Sequence, residues 1–518
     1  MNTDQGQTGK LAALVGVLML VGVAVVAALT LGGNDDNSPL AADANAEPQA
    51  EPESSSTTTT ESAPEPEPSS TTTTTTEVPG LSLISGEFAD QEIDVFVFNH
   101  DVAEDLRAHT PEFFTANGGA TVNFVTFEQQ TTREVVAVNA IIGGAFADVV
   151  MLGSFETSQF AENGWLCPLD RLTCVSPIRR IGREALDFEV GDLVPSVRDL
   201  FTVDGDLFAA PLYAESTFLM FNSEIMAAAG IEIPQNPTWD QIAAIAAQVH
   251  SDDVAGICLR GRPDWGDLGA SLTTVVNTFG GTWWEANEDG TPGEPQINQP
   301  DSGFRNATEF YVQLVQDSGP PDAANISYDE CLELFGNGQV AMWYDSTRTP
   351  DLLNQDGASV RPDAGNFGVV AAPVGPTGIA SGWLWTWSLA ATNGGNTPPA
   401  SMEFVRWATS QDFAQLVGDD RGWQGASAAR LSTINNPEYQ AATEPWGQVA
   451  AEAITNANPL NPGTTPRPGT AGVQYVGIPE FPDVGTACTT EISAAIAATI
   501  TIDEALDRCQ AIASAQLR

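Results

Sequence analysis

Apolar runs of strand length alternate with amphipathic stretches from about residue 92 onward. Residues 93–98, 122–127 and 148–152 are rich in Val, Phe, Ile and Met, and residues 131–142 carry apolar positions at helical spacing. A strand, a helix and a second strand at this spacing are typical of βαβ units, in which helices cover a parallel sheet. The pattern therefore predicts an α/β fold.

The same alternation returns in the middle of the chain. Further strands are predicted at residues 216–221, 340–344 and 367–371. Thr238 and Gln241 form a capping box that predicts the start of a helix over residues 239–250. From Ser401 onward the pattern is mainly helical. Two α/β lobes account for this order better than one long sheet does.

Two more helix starts are predicted in the first lobe. Asp101 and Glu104 fit the first turn of one helix, and Thr110 followed by Pro111 fits an N-cap with proline at the first helical position. In open α/β sheets, ligands bind beyond the carboxyl ends of the strands, and clefts between lobes are common binding sites. The polar residues that follow the strands are therefore the candidates for function.

The N-terminal segment has a different character. Residues 11–33 form a run of 23 residues without charge or proline. A helix of that length spans the roughly 30 Å hydrocarbon core of a bilayer. A signal peptide usually has a shorter apolar region with a small-residue cleavage site close behind it, and the A-x-A pattern at 44–46 lies well past the run. The pattern favours an uncleaved membrane anchor, with Lys10 on the inner side. A long, cleaved signal peptide is the alternative.

Residues 34–80 are of low complexity. They are rich in threonine and in Glu-Pro pairs, and they carry ten acids and no base. Such a segment buries too little apolar surface to offset its ordering entropy, so it is predicted to be a disordered, extended linker.

Composition excludes several classes of protein. The chain of 518 residues has 19 basic and 68 acidic residues, a net charge of −49, which excludes nucleic-acid binding through clustered basic residues. Lys10 is the only lysine, so a Walker A loop and a pyridoxal Schiff base are also excluded. There is no HExxH or GxSxG motif. No cofactor or metal is expected. The acidity fits a saline medium, in which salt screens self-repulsion, or compositional drift.

Six cysteines are an even number, and the predicted topology places them outside the cytoplasm, where disulfides form. Proximity along the chain favours the pairs Cys167–Cys174 and Cys488–Cys509, which leaves Cys258–Cys331. No CxxC motif is present, which argues against a redox or zinc site.

Eight short segments occur in an order that resembles one known family. They are FNHD (98–101), DVVM (148–151), AENGWL (161–166), PLYAES (211–216), NPTWD (236–240), GICLRGRP (256–263), NTFGG (277–281) and FGNGQVAMW (335–343). The similarity runs from about residue 92 to the C-terminus. On this order the chain resembles the family 1 extracellular solute-binding proteins of ABC transporters, in the sugar- and polyol-binding branch. It departs from that family at the N-terminus, where a lipid-anchoring cysteine or a cleaved signal peptide is usual.

The resemblance implies a two-lobe, periplasmic-binding-protein-like fold that closes on its ligand. The implied first lobe comprises residues 92–210 and about 386–432, and the second lobe residues 211–385 and about 433–518. Crossings between the lobes are expected near residues 210–213, 382–387 and 431–437. The implied protein is not an enzyme; it is an extracytoplasmic receptor that passes a polyol or sugar to the permease subunits. The apolar run at residues 11–33, and not the resemblance, predicts that it is tethered to the membrane.

The candidate site residues follow from the chemistry of such a ligand. A polyhydroxyl solute needs carboxylates and amides for its hydroxyls, arginine as a planar donor, and aromatic faces for its C–H surfaces. Residues of these kinds near strand ends and hinge segments are predicted to bind it: Asn99, His100, Glu128, Ser154, Glu215, Arg260, Trp265, Asp345 and Trp383.

Each candidate has a structural alternative. Asn99 and His100 could cap the next helix, Arg260 could belong to a structural ion pair, and Glu215 could lie at the surface or behind the ligand-binding residues. Trp383 belongs to a set with Trp385 and Trp387, at a spacing of two that puts all three indoles on one face of a strand. Most side chains in such a stripe belong to the core.

One other class of protein competes with the receptor. An extracellular glycoside hydrolase that uses two carboxylates fits the composition, because acids are abundant. A sensory ectodomain is less consistent, since about ten residues precede the apolar run and leave no room for a cytoplasmic signalling segment. The order of the family segments favours the receptor.

Overall fold

The two larger β-sheets of the described residues lie in two different lobes. The computed structural model describes residues 88–127, 147–171, 174, 187–355, 357–394, 397–423 and 428–516. The predicted anchor, the linker, the helix at 131–142 and Glu128 lie outside these residues.

Among the residues that the structure describes, no helix combines the length and the apolar character needed to cross a bilayer.

The strands are β1 (Glu92–Phe98), β2 (Thr121–Phe127), β3 (Val149–Gly153), β4 (Thr202–Val203), β5 (Asp206–Leu207), β6 (Ala210–Glu215), β7 (Thr217–Asn222), β8 (Trp284–Ala286), β9 (Pro292–Pro295), β10 (Met342–Ser346), β11 (Phe367–Ala371) and β12 (Trp385–Ala391).

The helices are α1 (Asp101–His109), α2 (Ser154–Glu162), α3 (Pro195–Leu200), α4 (Ser223–Ala229), α5 (Trp239–Val249), α6 (Leu268–Thr278), α7 (Gly303–Ser318), α8 (Tyr328–Gly336), α9 (Thr349–Gln355), α10 (Pro399–Ala408), α11 (Gln411–Arg421), α12 (Leu431–Ile434), α13 (Pro437–Ala442), α14 (Gly447–Asn456), α15 (Phe481–Ile496) and α16 (Ile502–Gln516).

The first lobe is built on a five-stranded sheet in the order β2-β1-β3-β12-β6. Strands β1, β2 and β3 are parallel, whereas β12 runs antiparallel to both β3 and β6. The three parallel strands are the ones that the βαβ pattern predicts. Their apolar residues fill the core of this lobe, because a parallel sheet is covered on both faces.

The second lobe has a smaller sheet in the order β10-β7-β11, and both of its pairings are antiparallel. The strands predicted there are present, but the expectation of parallel βαβ units is wrong for this sheet. Helices α5, α6, α7, α15 and α16 supply most of the apolar side chains around it. Trp239, Trp283 and Trp284 are buried in that core.

Local sequence signals predicted one of these helix starts correctly and another wrongly. The Thr238 hydroxyl accepts from the Gln241 backbone N–H at 3.2 Å, and the Gln241 side chain accepts from the Thr238 N–H at 2.9 Å, so the predicted capping box is confirmed. The helix start predicted at Thr110 is wrong. The chain continues from α1 into a wide helical turn, and the Thr110 hydroxyl donates to the Leu106 carbonyl oxygen at 2.5 Å.

Two crossing segments run side by side between the lobes. Strand β6 in the first sheet leads through Ser216 alone into β7 in the second sheet. The Ser216 hydroxyl donates to the Trp383 carbonyl oxygen at 2.7 Å, and the Thr217 hydroxyl donates to the Ser381 carbonyl oxygen at 2.7 Å. The segment that enters β12 is therefore hydrogen-bonded to the segment that leaves β6.

The third connection lies later in the chain than residues 431–437. Those residues belong mainly to short helices, and Leu431 and Ile434 pack on the first core. Helix α14 then bridges the lobes, because Ile454 packs in the first core while Ala450 packs beside the second sheet.

The structure contains two of the three predicted disulfides, Cys167–Cys174 and Cys258–Cys331. The third predicted pairing is wrong for this structure, in which Cys488 and Cys509 are free, buried thiols on α15 and α16. The thiol of Cys509 instead donates to the carbonyl oxygen of Cys488 at 3.3 Å, so the facing backbone satisfies it without a covalent bond.

Candidate functional site

A cavity of about 490 Å³ opens where the first sheet meets loops of the second lobe. Its lining combines acids, arginines and indoles, and comprises Glu215, Arg260, Arg262, Asp264, Trp265, Gly266, Asp267, Ala270, Tyr328, Trp383, Trp385, Trp387 and Gln474. The end of β6 and the start of β12 form one wall, and the loop between Cys258 and α6 forms much of the other.

Arg260 is held in the cavity wall by a buried acid. Its Nε and Nη2 donate to the two carboxylate oxygens of Asp345 at 2.8 and 2.6 Å, and the Asp345 side chain is fully buried. The guanidinium also lies 5.1 Å from the ring centroid of Trp383 and 5.3 Å from that of Tyr328. Burial lowers the pKa of Arg260, but Asp345 and Asp267 outweigh that effect and keep its pKa above the ordinary value.

Glu215 lies beside this pair, at the end of β6. Its Oε2 accepts from the Ser346 hydroxyl at 2.6 Å. Burial raises the pKa of Glu215 to about 7, although the hydrogen bond from Ser346 and the charge of Arg260 oppose the rise. Near neutral pH this group therefore supplies both a hydrogen-bond donor and an acceptor.

Asp267 is a second buried acid in the lining, at the start of α6. Arg262 Nε donates to its Oδ2 at 3.0 Å, and Arg260 Nη1 lies 3.7 Å from its Oδ1. Burial raises the pKa of Asp267 to about 6, against the attraction of both arginines. The two arginines of the lining are thus engaged with acids, and neither offers a whole guanidinium to an anionic ligand.

Indole rings form the apolar part of the cavity. The ring centroids of Trp385 and Trp387 are 5.1 Å apart, and Trp265 of the second lobe lies 6.4 Å from Trp385. Gly153 allows this packing, because a Cβ atom there would come within 2.5 Å of the Trp385 ring. All three tryptophans of the predicted stripe line the cavity.

The structure brings four of the predicted residues into the lining: Glu215, Arg260, Trp265 and Trp383. Glu128 is outside the described residues, and the other four lie elsewhere. Asn99 is exposed at the end of β1, and Ser154 is fully buried in the first turn of α2. Asp345 lies behind Arg260 instead of facing the cavity.

His100 belongs to a separate group that joins the two lobes, the interlobe cluster of His100, Asp101, Tyr213, Arg348 and Arg421. His100 caps α1 and shares a 3.1 Å hydrogen bond between its Nε2 and the Tyr213 hydroxyl. Burial, with Arg348 and Arg421 nearby, lowers the pKa of His100 to about 3.

Arg348 carries the contact across the lobes in this cluster. It follows β10 of the second sheet, forms an ion pair with Asp101 at the start of α1, and lies 4.8 Å from the Tyr213 ring centroid. Arg421 of the first lobe approaches the same Asp101 carboxylate at 3.9 Å.

Several lining residues are not among the predicted site residues. Arg262, Asp264 and Asp267 share the loop of Arg260, and that concentration of charge was the available signal. Gln474 lies between α14 and α15 without strand or helix, and no pattern marked it.

Comparison with known proteins decides the family. The model of the family described as bacterial extracellular solute-binding protein matches residues 99–415. The chain belongs to this family. The resemblance seen in the eight ordered segments and the periplasmic-binding-protein-like α/β fold are therefore confirmed, and the extracellular character of the family supports a location outside the cytoplasm.

Two curated relatives are informative. A mannitol-binding protein of Pseudomonas aeruginosa is 30% identical over 391 residues, which is 75% of this chain and 84% of that protein. An erythritol/L-threitol-binding protein of Mycolicibacterium smegmatis is 25% identical over 51% of this chain and 55% of its own length. Both are binding proteins.

Two solved structures have a similar fold. A solute-binding protein of Agrobacterium vitis S4, with bound D-mannitol, is 34% identical, with a TM-score of 0.72 over 82% of this chain and 98% of that one. A ribitol complex from Agrobacterium radiobacter K84 is 20% identical, with a TM-score of 0.66 over 82% of this chain and 98% of its own, a likeness of fold.

Proposed function

We propose that this chain is the receptor of an ABC importer and that it captures an alditol or a related sugar in the cavity between its lobes. The observation that carries the proposal is the lining itself, in which Glu215 and Arg260 lie against the indoles of Trp383 and Trp385. Relatives that bind mannitol support the same ligand class. The captured solute passes to the permease subunits.

The arrangement suits an uncharged, hydroxyl-rich molecule. Indole faces pack against C–H surfaces, while carboxylates and amides pair with hydroxyls. The volume of about 490 Å³ lies within the range of roughly 300–1,000 Å³ that small-molecule sites occupy. Glu215, Arg260, Trp265 and Trp383 are the residues we assign to the solute.

The hydrolase alternative finds less support. A glycosidase needs two carboxyl groups that flank the scissile bond, one as acid and the other as base or nucleophile. Of the three acids that sequence position singled out, Glu128 lies outside the described residues, Glu215 lines the cavity, and Asp345 is fully buried and engaged by two hydrogen bonds from Arg260. Asp267, the other buried acid of the lining, is held by a hydrogen bond from Arg262. We therefore assign the cavity to binding without catalysis.

Ligand screening tests the proposed function. Purified protein is heated with alditols, monosaccharides and disaccharides, and a bound solute at 100 times its Kd should add about 2.7 kcal/mol to the free energy of unfolding. The solute released after denaturation should be chemically unchanged. Stabilisation by none of these compounds, or recovery of cleaved products, would contradict the receptor assignment.

We also propose that residues 11–33 stay in the membrane and that residues 34–80 act as a tether. The support is the 23-residue apolar run, followed by an acidic linker rich in threonine and proline. Mass spectrometry of the membrane fraction should find peptides from the first 33 residues. A mature protein in the soluble fraction that begins near Ala46 would show that the segment is removed.

A further inference from the structure

Gln474 presents an unused hydrogen-bond donor to the cavity. The residue is only 4% exposed and lies in the cavity lining. The Oε1 atom accepts from the backbone N–H of Leu384 at 3.3 Å, at the segment that enters β12. Within the described part of the chain the Nε2 group donates to no residue, and it is not sealed from solvent. The amide is therefore anchored at its oxygen while its nitrogen stays available.

Arg467 and Asn277 hold the backbone immediately before Gln474. Arg467 donates to the carbonyl oxygens of Gly472 and Val473, the latter at 3.0 Å. Asn277 Nδ2 donates to the same Val473 oxygen at 2.9 Å, and Asn277 Oδ1 accepts from Arg467 at 3.4 Å. These bonds fix the turn that carries Gln474, in a segment without helix or strand.

Arg467 is unusual for an arginine of this acidic chain. Across the described ranges, every other arginine has an ion-pair partner among the acids, whereas Arg467 bonds to neutral oxygens. Burial lowers its pKa to about 10. Burying the Arg467 charge without an acidic partner costs free energy. That cost favours a specific role for Arg467 in shaping this turn.

The other polar groups of the lining leave few hydrogen-bond donors for the oxygen atoms of a solute. Asp264 and Asp267 are acids that accept hydrogen bonds. Of the five N–H donors of Arg260, two bond to Asp345 and a third bonds to the Gly266 carbonyl oxygen at 3.4 Å. A hydroxyl-rich solute also offers oxygen lone pairs, which need donors. The Gln474 amide supplies one beside the indole wall.

We infer that Gln474 is a solute-binding residue that donates its side-chain N–H to a ligand oxygen, and that Arg467, with Asn277, is its positioning residue. The inference rests on the proposed function. It specifies the ligand further, because the solute must place a hydroxyl, ether or carbonyl oxygen against the segment that precedes β12.

The variant Gln474→Glu isolates the donor. The new carboxylate keeps an oxygen for the Leu384 N–H but has no N–H to donate, so the anchor survives while the ligand bond is lost. Titration calorimetry of the full chain at pH 8 with D-mannitol, or with the tightest-binding solute of the screen, should show affinity reduced by about tenfold or more. The exposed Gln440, changed to Glu, is the matched control for charge and should bind like the wild type.

A double-variant comparison tests the positioning role. Arg467→Met should weaken binding severalfold in the wild-type background and add little in the Gln474→Glu background, because it acts through the same amide. Equal weakening in both backgrounds would show a general structural effect and overturn the positioning role. If Arg467→Met does not fold, Asn277→Ala replaces it in the same comparison.

The outcomes separate the inference from the proposed function. A wild type that binds a polyol or sugar, together with a Gln474→Glu variant of equal affinity, overturns the inference and leaves the receptor assignment intact. A wild type that binds no compound of the screen overturns both.

Discussion

Replacing Asp345 by asparagine is expected to lower the free energy of unfolding by about 3–5 kcal/mol. The carboxylate is fully buried and receives two hydrogen bonds from Arg260, at 2.8 and 2.6 Å. The variant keeps the shape of the side chain but leaves the guanidinium, only 12% exposed, without its main counter-charge. Denaturation by urea, followed by tryptophan fluorescence, measures the change.

The control for this prediction removes both partners. In Arg260→Met combined with Asp345→Leu no charge is stranded, and apolar pairs often replace buried ion pairs without loss. The double variant should recover much of the stability yet bind the solute poorly, because Arg260 lines the cavity. A single Asp345→Asn variant as stable as the wild type would show that the ion pair does not support the fold.

Replacing Glu215 by glutamine is expected to stabilise the ligand-free protein at pH 8 by about 2 kcal/mol. Burial raises the pKa of Glu215 from 4.5 to about 7 in the folded state, so the folded state binds the proton more tightly than the unfolded state does. The wild type should therefore be most stable, with respect to this group, near pH 4.5 and lose that stability as the pH rises through 7. Asp267, with its pKa raised to about 6, acts in the same direction.

Glutamine mimics the protonated acid and retains an oxygen for the Ser346 hydroxyl. Free energies of unfolding measured between pH 5 and 8 should fall less steeply with pH for Glu215→Gln than for the wild type. The exposed Glu224, changed to Gln, removes the same charge from the acidic surface and controls for general repulsion. Parallel profiles for the wild type and both variants would exclude Glu215 as the titrating group.

The sequence predicted the strands well because their signals are local. The apolar runs at β1, β2 and β3 needed only period and length, and the capping box at Thr238 needed two residues three apart. No local signal sets the direction of the strands in the second sheet. It depends on β6 passing into β7 through Ser216 alone, and on β10 and β11 returning from distant parts of the chain.

Position after a strand selected Glu215, which lines the cavity, but also Asp345, which does not. The place of Asp345 is set by Arg260, a partner 85 residues earlier in the chain. His100 was singled out as a ligand, but it caps α1 and lies in the interlobe cluster. Local sequence does not distinguish a helix-capping residue from a ligand-binding residue when the same side chain suits both roles.

Gln474 is a lining residue that no sequence pattern predicts. Its position depends on Arg467 and Asn277, which lie 7 and about 200 residues away and bind its neighbours through backbone carbonyls. Every residue type has a backbone carbonyl oxygen, so the sequence does not show which of these oxygens accepts a hydrogen bond. Only the folded chain shows it.

The interlobe cluster affects the affinity of this receptor and leaves its selectivity among solutes to other residues. The ion pair between Asp101 and Arg348 joins the lobes without lining the cavity. We therefore expect substitutions there to change the dissociation constants of all solutes by a common factor and to leave their ratios unchanged. Discrimination among solutes is left to the cavity wall, so evolution can match affinity to the supply of nutrient without redesigning recognition.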